Sequence, residues 1–342
     1  MKSHRKLVPT TLLAVSSVCF VIALRFVSAA SHAEQHGTVS VQRSLMGTVW
    51  TIEVLDHGRP DDARHAVDAA YQELDRIDAL MSEWKPESPI SQVNAAAGKR
   101  AVEVPAELRD ILERSVAYSK ESEGTFDVTW RGMGPIWHFD DRFRVPSKAE
   151  VEAARQNINY RELEIQGNRI RLPRASMSIG LGGIAKGYAV DRATEVLRHA
   201  GFTDSMVDGG GDVLVSGTKN GTPWRLGVQD PRQERGNLIG VLNLKDQALV
   251  TSGDYERFKI VDGVRYHHII DPRTGWPATA SSSVTVVSPT TERGVVLAKA
   301  IFILGPEKGL ALARSEGVDV LLIDAQGKRY LTDGFARVFE QN

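Results

Sequence analysis

The sequence has little cysteine and no excess of charge of either sign. Cys19 is the only cysteine among 342 residues, and it lies in an apolar N-terminal segment. The rest of the chain therefore has no thiol for a disulfide, a thiolate metal site or cysteine catalysis. The 42 Lys and Arg residues nearly balance the 43 Asp and Glu residues. Because no net field favours a polyanion, we do not expect nucleic acid as a partner.

Several common catalytic and nucleotide-binding motifs are also missing. The chain has no G-x-S-x-G elbow, so a hydrolase of that type lacks support. Its glycines occur at neither the G-x-G-x-x-G nor the G-x-x-x-x-G-K-[ST] spacing, so neither a Rossmann nor a Walker site is indicated. Any phosphate or nucleotide site must use another pattern.

The first 30 residues predict an export signal. A basic start is followed by an apolar run over residues 7–24 and by small residues around Ala30 and Ala33. This order of charged, apolar and small-residue zones is typical of a signal peptide, here cleaved after Ala30 or Ala33. Since the run is long for a signal core, an uncleaved single-helix anchor is the alternative. In both cases we expect the folded part, residues 31–342, to lie outside the cytoplasm.

The periodicity of the remaining chain predicts both helices and hairpins. Apolar residues at three- and four-residue spacing predict helices over residues 61–81 and 292–304. Residues 38–54 predict one strand, with Met46-Gly47-Thr48 near its middle. The pair Asp262-Gly263 predicts an antiparallel hairpin. Because regular βαβ alternation is not seen, we expect an α+β fold with mixed or antiparallel sheets and packed helices.

A glycine-rich stretch over residues 178–192, SIGLGGIAKGYAVDR, is the first candidate binding site. Gly180, Gly182 and Gly183 stand just before a helical stripe. Glycines at the positive end of a helix dipole let a phosphate approach bare backbone N–H groups, and Lys186 in the first turn adds a positive charge. From this stretch alone, a phosphate site and a tight turn that packs a helix closely on a strand both stay open.

His268 is the histidine that we single out as a base. It stands between the end of a predicted strand and the rigid turn Asp271-Pro272, where a histidine can accept a proton near neutral pH. Asp271 either orients a neighbour or a substrate hydroxyl, and so joins the candidate catalytic residues, or merely caps its own turn. Trp84, in a polar loop, either stacks on an aromatic ring or covers the rim of the core. The plain alternative for His268 is a histidine that satisfies nearby backbone.

Seven motifs follow one another along nearly all of the chain after the N-terminal segment. They are MGTVWTIEV, MSEWKPESPISQVN, GTFDVT, SIGLGGIAKGYAVDR, DGGGDVLVSG, VTSGDYERF and YHHIIDPRTGWP. In this order they resemble the ApbE family, the FAD:protein FMN transferases. A single motif of this kind would be weak, but the ordered set is specific.

The resemblance implies a two-lobed single domain that binds FAD between its lobes and cleaves the diphosphate. The FMN half would pass to a Thr or Ser hydroxyl of a partner protein as a phosphoester, with release of AMP. The implied partners are subunits of membrane redox complexes that carry covalent FMN on the extracytoplasmic side. The expected location is the periplasm or the outer face of the inner membrane.

Carried over position by position, the resemblance also assigns roles to residues. His268 would be the base that activates the acceptor hydroxyl. Gly183 would hold magnesium through its backbone carbonyl. The Trp84 indole would stack on adenine, where the family usually has a tyrosine. The residues that would contact FAD are Met46, Trp84, Thr125, Phe126, Asp127, Lys186 and Ile269.

The magnesium site that the resemblance implies is altered in this chain. In the stretch GVVLAKAIFILG, residues 294–305, Val295 stands at the family's aspartate position and Lys299 at its threonine position. Gly180 stands where a further acid is common. A valine cannot ligate a cation, and an ammonium offers only donors. The metal is therefore not expected in its usual form.

Three accounts of this departure stay open. In the first, Lys299 is a catalytic residue, a built-in cation that replaces the charge of the metal and pairs with a ligand phosphate or Asp271. In the second, Lys299 only extends to the surface and the site has decayed. In the third, Glu292 supplies a displaced carboxylate that restores the metal. The rival functions are an FAD pyrophosphatase giving FMN and AMP, and an exported flavin-binding protein without catalysis.

Overall fold

The structure, a computed structural model, describes residues 37–341. The export signal or anchor expected over residues 1–30, with its cleavage positions, lies outside the described residues and stays a prediction. Within residues 37–341, no helix is both long and apolar enough to cross a membrane.

Sixteen strands and seven helices are formed by the described residues. The strands are β1 (Thr38–Leu45), β2 (Thr48–Leu55), β3 (Val102–Glu103), β4 (Glu164–Gln166), β5 (Arg169–Arg171), β6 (Ser205–Gly209), β7 (Val213–Ser216), β8 (Trp224–Gln229), β9 (Leu238–Leu244), β10 (Gln247–Gly253), β11 (Phe258–Val261), β12 (Val264–His267), β13 (Ser281–Ser288), β14 (Asp319–Asp324), β15 (Arg329–Leu331) and β16 (Phe339–Gln341). The helices are α1 (Pro60–Met81), α2 (Pro89–Ala95), α3 (Ala106–Glu121), α4 (Lys148–Arg155), α5 (Ala185–His199), α6 (Thr291–Ser315) and α7 (Asp333–Val338).

An eight-stranded antiparallel sheet forms the centre of the fold. Its strand order is β1-β2-β6-β7-β10-β13-β14-β15. The strands β16-β9-β8 and β3-β5-β4 form two smaller sheets, and β11 pairs only with β12. With helices and antiparallel sheets in one compact unit, the α+β prediction is confirmed.

The two faces of the main sheet are both covered. Helices α1, α5 and α6 pack with one face in the larger core. The other face packs against β8, β9 and α7, where Trp224 and Phe335 are buried. As a result every residue of β13 is buried. The first part of α6, up to Gly305, is apolar on nearly all sides because it is enclosed rather than lying on the surface.

Most of the predicted elements are found, but the strand predicted over residues 38–54 is wrong. The chain reverses at Met46 and Gly47, with φ of 50° and 75°, so that β1 and β2 form a hairpin. A two-residue turn with positive φ at both positions matches the twist of the strands on each side. The helices predicted over 61–81 and 292–304 are confirmed as α1 and as the first part of α6.

Candidate functional site

The glycine-rich stretch forms a 3-10 turn, Leu181–Gly183, that leads into α5. Gly180 is fixed from both sides. Its N–H donates to the Val128 carbonyl (2.9 Å), and its carbonyl accepts from the Trp130 indole (3.0 Å). A Cβ at Gly180 would lie 2.5 Å from the same indole nitrogen, so an acidic side chain has no room at this position. The N-cap position of α5 is held by Ile184, which has no oxygen to cap the helix.

Helices α5 and α6 approach closely because two glycines face α6. A Cβ at Gly187 would lie 2.6 Å from the Thr291 carbonyl oxygen and 2.7 Å from Val295 Cγ2. A Cβ at Gly183 would lie 2.9 Å from the Phe126 ring and 3.9 Å from Lys299 Cδ. By contrast, a Cβ at Gly182 would meet no described atom within 4 Å. The stretch is thus a close-packing turn and also leaves one backbone surface open.

The turn between β6 and β7 supplies an acidic group to this surface. Lys186 Nζ lies 3.0 Å from Asp212 Oδ2, and the Asp212 side chain is buried. A Cβ at Gly210 in the same turn would collide with Thr48 Oγ1. This close approach brings the β1–β2 turn, with Met46, beside the loop. The contacts of Met46 and Lys186 with FAD that the resemblance implies stay predictions.

Lys299 lies within electrostatic range of the same loop. Its Nζ folds back to donate to the Val295 carbonyl one turn earlier (3.1 Å), and its side chain stays partly open to solvent. Desolvation lowers the pKa of Lys299 to about 8, with the negative charge of Asp212 opposing the shift and the positive charge of Lys186 adding to it. The acid whose charge acts on Lys299 is Asp212. The sequence alone suggested Asp271 instead.

Two adjacent histidines at the end of β12 have opposite surroundings. His267 Nε2 donates to the Ala278 carbonyl (2.7 Å), and its Nδ1 accepts from the Ile269 N–H (3.3 Å). Both ring nitrogens of His267 are thus taken up by backbone. His268 is different, because its Nδ1 is buried and has no hydrogen-bond partner among the described residues.

The charge state of His268 is set by its neighbours. Desolvation, with added repulsion from His267, Lys299 and Arg257, lowers the pKa of His268 to about 3. The ring is therefore neutral at physiological pH and has a free nitrogen, as a proton acceptor requires. The positive charge of Lys299 thus acts on His268. The plain alternative, a histidine satisfied by backbone, describes His267 fully. For His268 a backbone hydrogen bond at Arg257 opposes the lowering of its pKa, and its role as the base stays a prediction.

Asp271 is engaged in its own turn. Its carboxylate accepts from Arg273 Nε (2.9 Å), Arg273 Nη2 (2.8 Å) and the Arg273 N–H (2.9 Å). These contacts fit the turn-capping alternative, and the assignment of Asp271 as a catalytic residue stays a prediction. Ile269, one residue after His268, is buried, and its carbonyl accepts from the Ala278 N–H (3.0 Å).

Trp84 is exposed beside the glycine turn. Its side chain is 78% exposed, and the Arg131 guanidinium lies 4.6 Å from its ring centre. Arg131 Nη1 also contacts Glu83 Oε1 (3.0 Å), and Glu83 Oε2 accepts from the Leu181 N–H (3.1 Å). This chain of contacts ties the indole to the 3-10 turn. A side chain so exposed does not cover the core, so the rim alternative is wrong.

The segment Thr125-Phe126-Asp127 is buried below the site. Thr125 Oγ1 donates to the Ser122 carbonyl (2.8 Å). The Asp127 carboxylate accepts from Thr129 Oγ1 (2.6 Å) and from the Thr129 and Tyr160 N–H groups (2.8 and 3.1 Å). Burial raises the pKa of Asp127. These side chains support the loop, so their predicted FAD contacts would have to come from backbone or from Phe126.

The residues present do not fit the magnesium that the resemblance implies. Gly183 offers only a carbonyl, while Val295 is buried against Gly187 and Lys299 presents a cation. Glu292 does not fill the gap, because its carboxylate is held by Arg114 through two hydrogen bonds (2.8 and 2.9 Å). Within residues 37–341, no three His, Cys, Asp or Glu side chains are grouped so as to hold a metal ion. The positions that the resemblance assigns to the metal therefore offer one carbonyl oxygen and no carboxylate, which is unsuited to a hard divalent cation.

Three residues of the site were missed by the sequence reasoning: Asp212, Glu83 and Arg131. Asp212 lies in the quoted motif DGGGDVLVSG, and its place in a glycine turn was the one available signal. Glu83 and Arg131 are far apart in the chain and meet only in the folded protein. Burial raises the pKa of Glu83, although the charge of Arg131 opposes the shift.

Comparisons with known proteins agree with this architecture. The chain is 32% identical over 298 residues to the FAD:protein FMN transferase of Treponema pallidum, covering 82% of each chain. It is 29% identical over 305 residues to the enzyme of the same name from Vibrio cholerae, covering 87% of this chain and 91% of that one.

Solved structures show the same similarity. The ApbE protein from Thermotoga maritima superposes with a TM-score of 0.82 at 31% identity, over 89% of this chain and all of that one. The flavin transferase ApbE from Vibrio cholerae gives 0.80 at 28% identity, over 89% of this chain and 99% of that one. The family model described as ApbE family matches residues 46–322. This chain therefore belongs to the ApbE family.

Proposed function

We propose that this protein transfers the FMN half of FAD to a Thr or Ser hydroxyl of an acceptor protein and releases AMP. The observation that carries the proposal is His268, a neutral histidine whose buried Nδ1 has no partner among the described residues and on which the charge of Lys299 acts. Relatives of this chain bear the name FAD:protein FMN transferase. Transfer of a phosphoryl-linked group requires mainly positioning, positive charge at the phosphates and a proton acceptor.

The site provides these three components on separate elements. Lys186, at the start of α5, and Lys299, on α6, place positive charge beside the open backbone at Gly182. The diphosphate of FAD would bind there, at the positive end of the α5 dipole. The exposed Trp84 indole would stack on the adenine.

His268 acts on the acceptor. Its free nitrogen takes the proton from the acceptor hydroxyl as that oxygen attacks the phosphorus on the riboflavin side. A new P–O bond forms, the bond from this phosphorus to the bridging oxygen breaks, and AMP leaves with the electron pair. A bound diphosphate offsets the positive field of Lys299, so the pKa of His268 rises when the substrate is in place.

We further propose that the chain is exported and acts on a flavin-bearing subunit of a membrane redox complex. The support for this location is the charged, apolar and small-residue order of residues 1–30. An alkaline phosphatase fusion after residue 36 that gave no extracytoplasmic activity would contradict export.

The direct test incubates the purified protein with FAD and an acceptor domain that contains a candidate Thr. A fluorescent acceptor band in a denaturing gel, together with one AMP released per modified acceptor, is the expected result. Free FMN and AMP with no labelled acceptor would identify a pyrophosphatase instead. Intact bound FAD would identify a flavin-binding protein without catalysis.

A further inference from the structure

The Lys299 ammonium lies close to the glycine turn and has donors left for a ligand. Its stem passes beside Gly183, the residue whose carbonyl the resemblance assigns to the metal, and its ammonium lies in range of Asp212, Lys186 and His268. One N–H of the ammonium donates to the Val295 carbonyl. An ammonium has three donors, so two remain for a ligand.

The surroundings of Lys299 leave its charge only partly compensated. Asp212, the acid whose charge acts on Lys299, already pairs with Lys186 at 3.0 Å, while the Asp208 carboxylate of the same turn interacts with Lys186 and Asp212. A partly buried ammonium without a full ionic partner is unfavourable unless an anion joins it. An anion such as a diphosphate, with two negative charges, would complete the pairing.

We propose that the Lys299 ammonium binds the FAD diphosphate and supplies the positive charge that the resemblance assigns to magnesium, so that this site works without a divalent cation. The inference rests on the proposed function and names the chemistry of its substrate contact. A lysine is the usual alternative to a metal as a point charge on phosphate.

The first test measures binding of FAD to the full chain by flavin fluorescence, in EDTA and in excess magnesium. The dissociation constant should be the same in both, and Lys299→Met should raise it about ten- to a hundredfold by removing one charged contact. Lys308→Met is the matched control, because Lys308 lies on the same helix and is exposed. Its affinity for FAD should equal that of the wild type.

Riboflavin separates contact with the phosphates from contact with the ring. Because riboflavin has no phosphate, Lys299→Met should leave its affinity unchanged. An equal loss of FAD and riboflavin affinity would overturn the inference, since it would indicate damage to the pocket. The melting temperature of Lys299→Met should not fall, because a buried cation is replaced by an apolar side chain of similar length.

The reverse experiment rebuilds a metal site. Val295→Asp combined with Lys299→Thr restores the oxygen ligands that the resemblance assigns to these two positions, and FAD binding by this variant should require magnesium. Tight FAD binding by the double variant in EDTA would overturn the inference. So would loss of FAD binding by the wild type in EDTA with recovery in magnesium.

The outcomes also separate this inference from the proposed function. If the wild type binds FAD only with magnesium and still labels the acceptor, the role of Lys299 is wrong and the transferase stands. If FAD binds without metal and Lys299→Met weakens it, but no acceptor is labelled, the inference stands and the transferase is wrong.

Discussion

The contrast between His267 and His268 gives a sharp prediction, because two neighbouring substitutions should have opposite effects. His267→Ala removes the donor to the buried Ala278 carbonyl, a loss of ~1–3 kcal/mol. It also removes the edge contact with the Phe302 ring at 5.6 Å, worth ~0.5–1.5 kcal/mol. The sum of about 1.5–4.5 kcal/mol corresponds to a melting temperature lower by about 2–7 °C for a domain of this size.

His268→Ala should leave the fold intact and abolish the chemistry. The substitution removes a ring whose buried Nδ1 has no partner among residues 37–341, so the free energy of unfolding should change by about 0.5 kcal/mol or less. Transfer of FMN should fall about 10²- to 10⁴-fold, as expected for loss of a general base. FAD binding should be unchanged.

The assay compares both variants with the wild type by differential scanning calorimetry, FAD titration and acceptor labelling. His267→Ala should retain transfer at a temperature well below its melting point. The reasoning would be refuted by a His268→Ala variant that labels the acceptor at the wild-type rate. It would equally be refuted if His268→Ala melted as early as His267→Ala, since the two rings would then share a structural role.

Three further predictions concern the same fold. Asp191 accepts hydrogen bonds from the N–H groups of Thr291 and Glu292 (2.7 and 2.8 Å) at the start of α6. Asp191→Ala should therefore lower the free energy of unfolding, measured by urea denaturation, by about 1–2 kcal/mol. Asp191→Asn keeps one acceptor oxygen and should lower it less. Trp84→Ala should leave the melting temperature unchanged, since the side chain is 78% exposed, but should weaken FAD binding about two- to tenfold. Trp84→Tyr should bind FAD like the wild type. An equal loss of FAD affinity in both variants would contradict stacking. Desolvation lowers the pKa of His268 to about 3, so below the unfolded pKa near 6.5 the unfolded chain binds more protons and stability falls with falling pH. Between about pH 7 and pH 5 the wild type should therefore lose more melting temperature than His268→Ala, and a larger loss in the variant would contradict the sign.

Much of the fold could be predicted from the periodicity of apolar residues, and the one wrong strand prediction has a physical cause. The apolar stripes of α1 and α6 are local signals, so both helices were predicted with nearly correct bounds. The β1–β2 hairpin was read as one strand because residues alternate on both sides of Met46-Gly47 and the reversal depends only on two positive φ angles. Alternation reports which face is buried and not whether the chain turns back.

The sequence by itself determined the class of fold, the family motifs and their order, and the absence of oxygen ligands at Val295 and Lys299. These properties belong to single residues and short spacings. Only the tertiary structure decided which charged groups interact and which groups form hydrogen bonds. It showed that backbone groups bond both ring nitrogens of His267, whereas Nδ1 of His268 has no partner among the described residues. It also showed that Asp212 rather than Asp271 acts on Lys299, and that Glu292 accepts hydrogen bonds from Arg114. Desolvation and pairing depend on neighbours distant in the chain, and no local pattern encodes them.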